Sequence, residues 1–372
     1  MKKLLLGATA IAGFAFTAAP AHADGLSVDL GGFYRGYAVY ADLDQDAAAA
    51  SVRDFDLRHD SEIYFTGETT LDSGLTVGFH SETDLGDASG TDRQNELYAY
   101  FSGSWGRVNF GKEDGAQYLL QVAAPSTDSN VDGLRTYVQG YADPAAGVDD
   151  WDLSGTQSSR LDYDMNMAQS AQKITYLTPK FNGFQAGFTY APELTDGEKG
   201  LNAIGAMATD EDANDFDEVL EVGARWDGEF EGVAVSFGAG YGRASNEDDS
   251  AVADDDRKQW NTAFNLGYEA FSFGAAYATD NHGQSQDRDQ DTWVVGLGWD
   301  NGPYHAAVSY YDTEFETGVN TETKVDRVAV GGTYAFGPGM SFRGTVAFGD
   351  VENDTGNDND FTQVTLGTDI NF

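Results

Sequence analysis

Of the groups that do chemistry in proteins, this chain is rich in only one, fixed charge. It carries 62 Asp and Glu against 21 Lys and Arg, five histidines and no cysteine. Disulfides and thiolate metal sites are therefore excluded. His22, His59, His80, His282 and His305 fall in no nucleophile–base motif, so enzymatic activity is not expected. Asp42, Asp44 and Asp46 open like a calcium loop. Ala47, however, stands where the turn glycine belongs and Arg53 where the bidentate glutamate belongs. A formal charge of −41 opposes a nucleic-acid partner, because phosphate-binding surfaces need net Lys and Arg. What remains is a set of charges that a scaffold must array.

The scaffold is legible as period-two alternation. From 26 to 40, Leu26, Val28, Leu30, Tyr34 and Tyr40 share one face with small residues, while Asp29, Phe33, Arg35 and Tyr37 share the other. The pattern recurs in about sixteen segments, among them Leu220, Val222 and Trp226 against Glu221, Gly223 and Arg225. Short turns such as Leu71–Gly74 and Gly337–Gly339 alternate with long acidic connections at 84–92, 209–217, 246–256, 280–291 and 350–360. That one-sided loop asymmetry, with one apolar face and one wet face, predicts an all-β, 16-stranded antiparallel transmembrane β-barrel. The competing readings are a soluble β-sandwich, which rarely needs sixteen strands, and a β-solenoid, whose short fixed repeat is not seen. No segment has 18 consecutive apolar residues and the mean hydropathy is −0.43, so a helical span is not expected.

Strand parity then sorts the charges. Arg35, Arg58, Arg107, Lys173, Arg225, Arg327 and Arg343 fall on the inward face, as do Asp60, Glu62, Glu68, Glu82, Glu96 and Asp369. Residues 1–23 have a basic start, an apolar stretch and the small-residue site Ala21-His22-Ala23, which reads as a secretory signal peptide cleaved from a barrel of residues 24–372.

Several segments resemble the general bacterial, Gram-negative outer-membrane porins, and in character those of purple photosynthetic bacteria and their relatives. They are Ser61–Glu68 with Leu71–Leu75, Trp105–Lys112, Lys173–Phe184, Gly332–Gly337 and the terminal Phe372. The resemblance spans 24–372 and rests on the order and spacing of the motifs. It implies a homotrimer in outer-membrane lipid and lipopolysaccharide, passing ions and small hydrophilic solutes passively and without a cofactor. Phe372 resembles the signal read by the barrel-assembly machinery. Loop carboxylates could hold Ca2+ or Mg2+ against lipopolysaccharide phosphates.

Between Asp114 and Gln169 no period is sustained, and a connection this long demands a function. The resemblance implies a third loop folded into the lumen, with acids such as Asp114, Asp128 and Asp132 facing a basic wall; the alternative is an external flap. Many members of the family carry Arg where this chain has Glu62 and Glu96. That reversal of sign, with the overall negative charge, leads to an expected preference for cations. The competing functions are a substrate-specific channel using an aromatic track of Phe33, Tyr37, Tyr64, Tyr98 and Tyr100, and a soluble acidic β protein.

Overall fold

The computed structural model describes residues 27–45, 54–85, 94–127, 165–168, 171–194, 216–246, 255–283, 289–318, 321–353 and 357–372. The segment 1–23 expected to be a signal peptide lies outside them.

The alternation seen in the sequence forms sixteen strands. They are β1 (Ser27–Gln45), β2 (Phe55–Thr70), β3 (Thr76–Asp84), β4 (Gln94–Gly103), β5 (Gly106–Lys112), β6 (Gln172–Leu177), β7 (Phe184–Glu193) and β8 (Phe216–Phe230). After these come β9 (Val233–Asn246), β10 (Arg257–Tyr268), β11 (Phe271–Asp280), β12 (Gln290–Asn301), β13 (Tyr304–Gly318), β14 (Thr321–Gly337), β15 (Met340–Asn353) and β16 (Asn357–Asn371). Every strand pairs antiparallel with its chain neighbours, and β1 also pairs with β16, which closes the barrel. Closure leaves no edge strand with unsatisfied backbone groups, the condition for sheet in a bilayer.

Phe372 completes the seam. Its N–H donates to Gly32 O at 3.1 Å, and its carbonyl accepts from Gly32 N–H at 3.0 Å. Tight turns join strands at this end. At the first of them, Gly74 takes φ +80°, which a side chain would resist, while its N–H donates to Leu71 O.

Burial follows parity. Val28, Leu30, Phe110, Val222, Leu297, Val330 and Leu366 are exposed on the outer face, whereas Phe33, Arg35 and Tyr37 are buried on the inner one. Aromatics flank the outer apolar band. Trp105, Phe181, Phe230, Tyr268, Phe271 and Phe336 lie near the tight turns, with Tyr241, Trp260 and Trp293 towards the other rim. Such girdles seat a barrel at the two lipid–water interfaces.

One connection differs from expectation. Residues 350–360 do not form a long acidic loop: β15 runs to Asn353, β16 starts at Asn357, and Asp350 stands opposite Asp360 in register. The acidic composition masked a hairpin whose strands extend past the apolar band, where lipid no longer dictates alternation. No helix among the described residues is long and apolar enough to cross a membrane, which has no bearing on a barrel.

Candidate functional site in the barrel lumen

At the closing seam, register places Arg35 opposite Asp369 on one side and Asp60 on the other. Arg35 Nε donates to Asp369 Oδ1 at 2.9 Å, and Arg343 Nη2 donates to Asp369 Oδ2 at 3.0 Å. One carboxylate thus holds two guanidiniums, and Arg35 is only 2% exposed. The Arg35 guanidinium also lies 4.2 Å from the Phe33 ring centroid, and that of Arg327 lies 4.9 Å from Tyr311. Both gain from the ring quadrupole when desolvated.

The inner wall of β2–β4 has the opposite sign. Glu82 and Glu96 are direct register partners, and Glu62 stands opposite Asp84. A bulge at Glu82/Thr83 shifts the pairing so that Asn95 has no opposite residue, and Asn95 Nδ2 donates to Glu62 Oε1 at 2.6 Å. Two inward rows below Glu82, Gly78 sits between Glu68 and Tyr100. A Cβ at Gly78 would strike the Tyr100 ring, so the bare backbone lets Tyr100 cross it and donate to Glu68 Oε2 at 2.6 Å. Arg107 in β5 covers that ring at 4.1 Å, and its Nε donates to Asn109 Oδ1 at 2.6 Å.

Beyond β5 the chain runs along the inward positions of the wall. Arg225 donates to Gln121 O, Asn265 Nδ2 to Ala123 O, and His305 Nε2 lies 3.0 Å from Ser126 O. Glycines make the track. A Cβ on Gly223 would meet the carbonyl of Ala116, and one on Gly296 the backbone of Pro125. The segment starts with a single helical turn, α1 (Ala116–Leu119).

Glu221 on β8 is 0% exposed and accepts from Gln117 N–H at 3.3 Å and Ala168 N–H at 2.8 Å. It therefore holds both the outgoing and the returning limb. Asp114 bridges the same limbs, accepting from Asn166 Nδ2 at 2.5 Å. At the start of the segment, past the last residue of β5, burial raises the Glu113 carboxyl to about 7, against the opposing pull of Arg107 and the Asn109 amide. Lys173 Nζ donates to Ala171 O at 2.7 Å and also to Glu113 O, tying β6 to this corner.

The residues expected from sequence separate into groups. Arg35 belongs to the seam, Glu62 and Glu96 to the acidic wall, and Arg107, Asp114 and Lys173 to the loop corner. Arg58 joins none of these: it sits 3.5 Å from Asp56 with both side chains half exposed. Asp128 and Asp132 lie outside the described residues. Sequence reading passed over Glu113 and Glu221 as loop-anchoring groups. The available signal for Glu221 was its inward parity within Glu221-Val222-Gly223-Ala224-Arg225, between apolar outward neighbours.

An apolar outer wall, a charged inner wall and complete closure define a membrane-spanning β-barrel channel. The chain belongs to the Gram-negative porin family, whose profile matches residues 7–368, and its place is the outer membrane. It is 24% identical over 321 residues to an outer membrane porin protein of Bordetella pertussis, covering 80% of this chain and 72% of that one. Uncharacterised proteins of Rickettsia bellii and Rickettsia typhi are 28% identical over 120 and 127 residues, and the chain spans only 28% and 29% of their lengths. Among solved structures, the anion-selective porin from Comamonas acidovorans superposes with a TM-score of 0.64 at 17% identity, over 94% of this chain and 100% of that one. The trimer form of OmpT from Vibrio cholerae does so with 0.60 at 15% identity, over 94% and 100%. At these identities the likeness establishes the fold.

Proposed function

We propose that this porin is a general-diffusion channel, passive and water-filled, for ions and small hydrophilic solutes, and that it prefers cations. The observation that carries the preference is the grouping of Glu62, Glu82 and Glu96 on the inner wall of β2–β4. Several basic groups elsewhere on the wall are paired with acids: Arg35 and Arg343 share Asp369, Arg225 meets Asp227, and Arg257 meets Asp280. Matched pairs contribute little net field, whereas gathered carboxylates between low-dielectric walls concentrate cations. The selectivity of the Comamonas porin belongs to that protein and is not carried over.

The segment following β5 is read as the loop that narrows the lumen, supported by its contacts with inward wall positions. A general channel is favoured over a substrate-specific one by the state of the aromatic residues. Phe33, Tyr37 and Tyr100 are buried, and Arg35 and Arg107 lie over Phe33 and Tyr100, so those faces offer no track to a solute. No catalysis is part of this reading. His282 and His305 make hydrogen-bond contacts to Gln290 and to Asp300 with Ser126. A homotrimer, export by a cleaved signal peptide, delivery to the assembly machinery through Phe372, and Ca2+ or Mg2+ bridging of loop acids to lipopolysaccharide complete the proposal.

Liposome swelling with neutral sugars of increasing size tests it. Rates should fall smoothly with size and show no saturation. Saturable entry of one sugar, with mutual competition, would replace the general channel by a specific one.

A further inference from the structure

Among the described residues, His80, Glu82 and Glu96 each place one ligand atom within 4.8 Å of the others. We propose that this group is a binding site in the lumen for a divalent transition metal of the Zn2+ class.

Register creates the site. Glu82 and Glu96 stand directly opposite on β3 and β4, an arrangement that costs energy for like charges and that either a shared proton or a bound cation relieves. His80 is two residues from Glu82 on the same face, with Nε2 2.9 Å from Glu82 Oε1. Its other nitrogen, Nδ1, lies 2.7 Å from Thr66 Oγ1. A threonine hydroxyl both donates and accepts. In the tautomer that carries its proton on Nε2, Nε2–H donates to Glu82 and the hydroxyl donates to Nδ1. In the metal form, Nδ1–H donates to the hydroxyl and the Nε2 lone pair faces the cation. Thr66 thereby supplies the outer partner that metal-ligating imidazoles characteristically have.

The ring is also held in place. His80 is 4% exposed and flanked by Tyr64 and Tyr98, with ring centroids 6.0 and 5.4 Å away. Ligand bonds to Zn2+ are about 2.0–2.2 Å, so atoms at the corners of a tetrahedral site lie about 3.3–3.6 Å apart. The observed spacing, within 4.8 Å, closes onto an ion when the two carboxylates each swing inward by about an ångström or less, within reach of small torsional adjustments. One imidazole and two carboxylates suit Zn2+, Cu2+ or Ni2+ better than Mg2+ or Ca2+, which prefer all-oxygen shells. Three protein ligands leave a position open to the lumen water. Occupancy would add two positive charges at the acidic wall and oppose cation passage there.

The test is isothermal calorimetry of full-length, detergent-purified protein with ZnCl2, in excess Mg2+ to occupy ordinary carboxylates. One Zn2+ per chain is expected. His80→Gln and Glu96→Gln should each weaken it by at least about tenfold, Thr66→Val by about 10–100-fold, and Glu314→Gln should leave it unchanged. Zinc K-edge absorption on the unmutated protein should show an imidazole ligand, a readout that does not depend on any variant folding. The proposal is overturned by no binding above the Mg2+ background, by unchanged affinity in folded His80→Gln, or by an all-oxygen shell. Calorimetry needs no conductance, so these outcomes are independent of the channel reading.

Discussion

Arg35 and Asp369 join the first strand to the last: they are register partners, 2.9 Å apart, and both are almost fully buried. The same carboxylate holds Arg343, so neutralising it would remove an anion that two guanidiniums contact. Breaking a buried pair by removing one partner costs about 3–5 kcal/mol. Asp369→Asn is expected to lower the temperature at which the folded barrel converts to the unfolded band in detergent electrophoresis. An unchanged conversion temperature would mean that lumen water already solvates the pair.

Glu221 offers both carboxylate oxygens to backbone N–H groups of the loop segment. In Glu221→Gln the amide nitrogen would face one of those donors, and a buried donor left unsatisfied costs about 1–3 kcal/mol. Limited proteolysis within 114–169 should become faster, and open-channel current noise should rise. Gly223→Val should act in the same direction, because its side chain would enter the space of the Ala116 backbone.

Glu113 supplies a pH dependence. With its carboxyl at about 7 it is mostly ionised near pH 8 and mostly protonated near pH 6. Acidification through this range removes a negative charge beside Arg107 and Lys173, so cation preference should step down. Reversal potentials measured across the range check this, and Glu113→Gln should make the step smaller.

Phe372 contributes two backbone hydrogen bonds to the seam and an exposed ring to the lower girdle. Deleting it should reduce assembled barrel in the outer membrane more than it reduces refolding in detergent. Equal losses in both would make its role closure alone.

Much of this was legible in the sequence because a barrel wall has period two, and that period fixes which side chains face inward. Arg35, Glu62, Glu96, Arg107 and Lys173 all follow from it. Parity gives direction but not contacts, so it could not show that Arg58, one inward row from Arg35 and Asp60, would lie half exposed beside Asp56 instead of joining the seam pair. The long loop has no period, and its anchors lie on strands far away in sequence: Glu221 meets Gln117, 104 positions away. The glycines that receive the loop were visible as inward positions without side chains, but only its path shows what they accommodate. The hairpin at 350–360 was hidden because strands beyond the lipid carry acids on both faces.

The central claim is that the carboxylates of β2–β4 set the ion preference of an open channel. Reversal potential in a planar bilayer under a KCl gradient tests it most directly, with Glu62→Gln measured beside the unmutated protein. A potential favouring K+, weakened in the variant, is the predicted result. A potential favouring Cl−, or one that Glu62→Gln leaves unchanged, would contradict it.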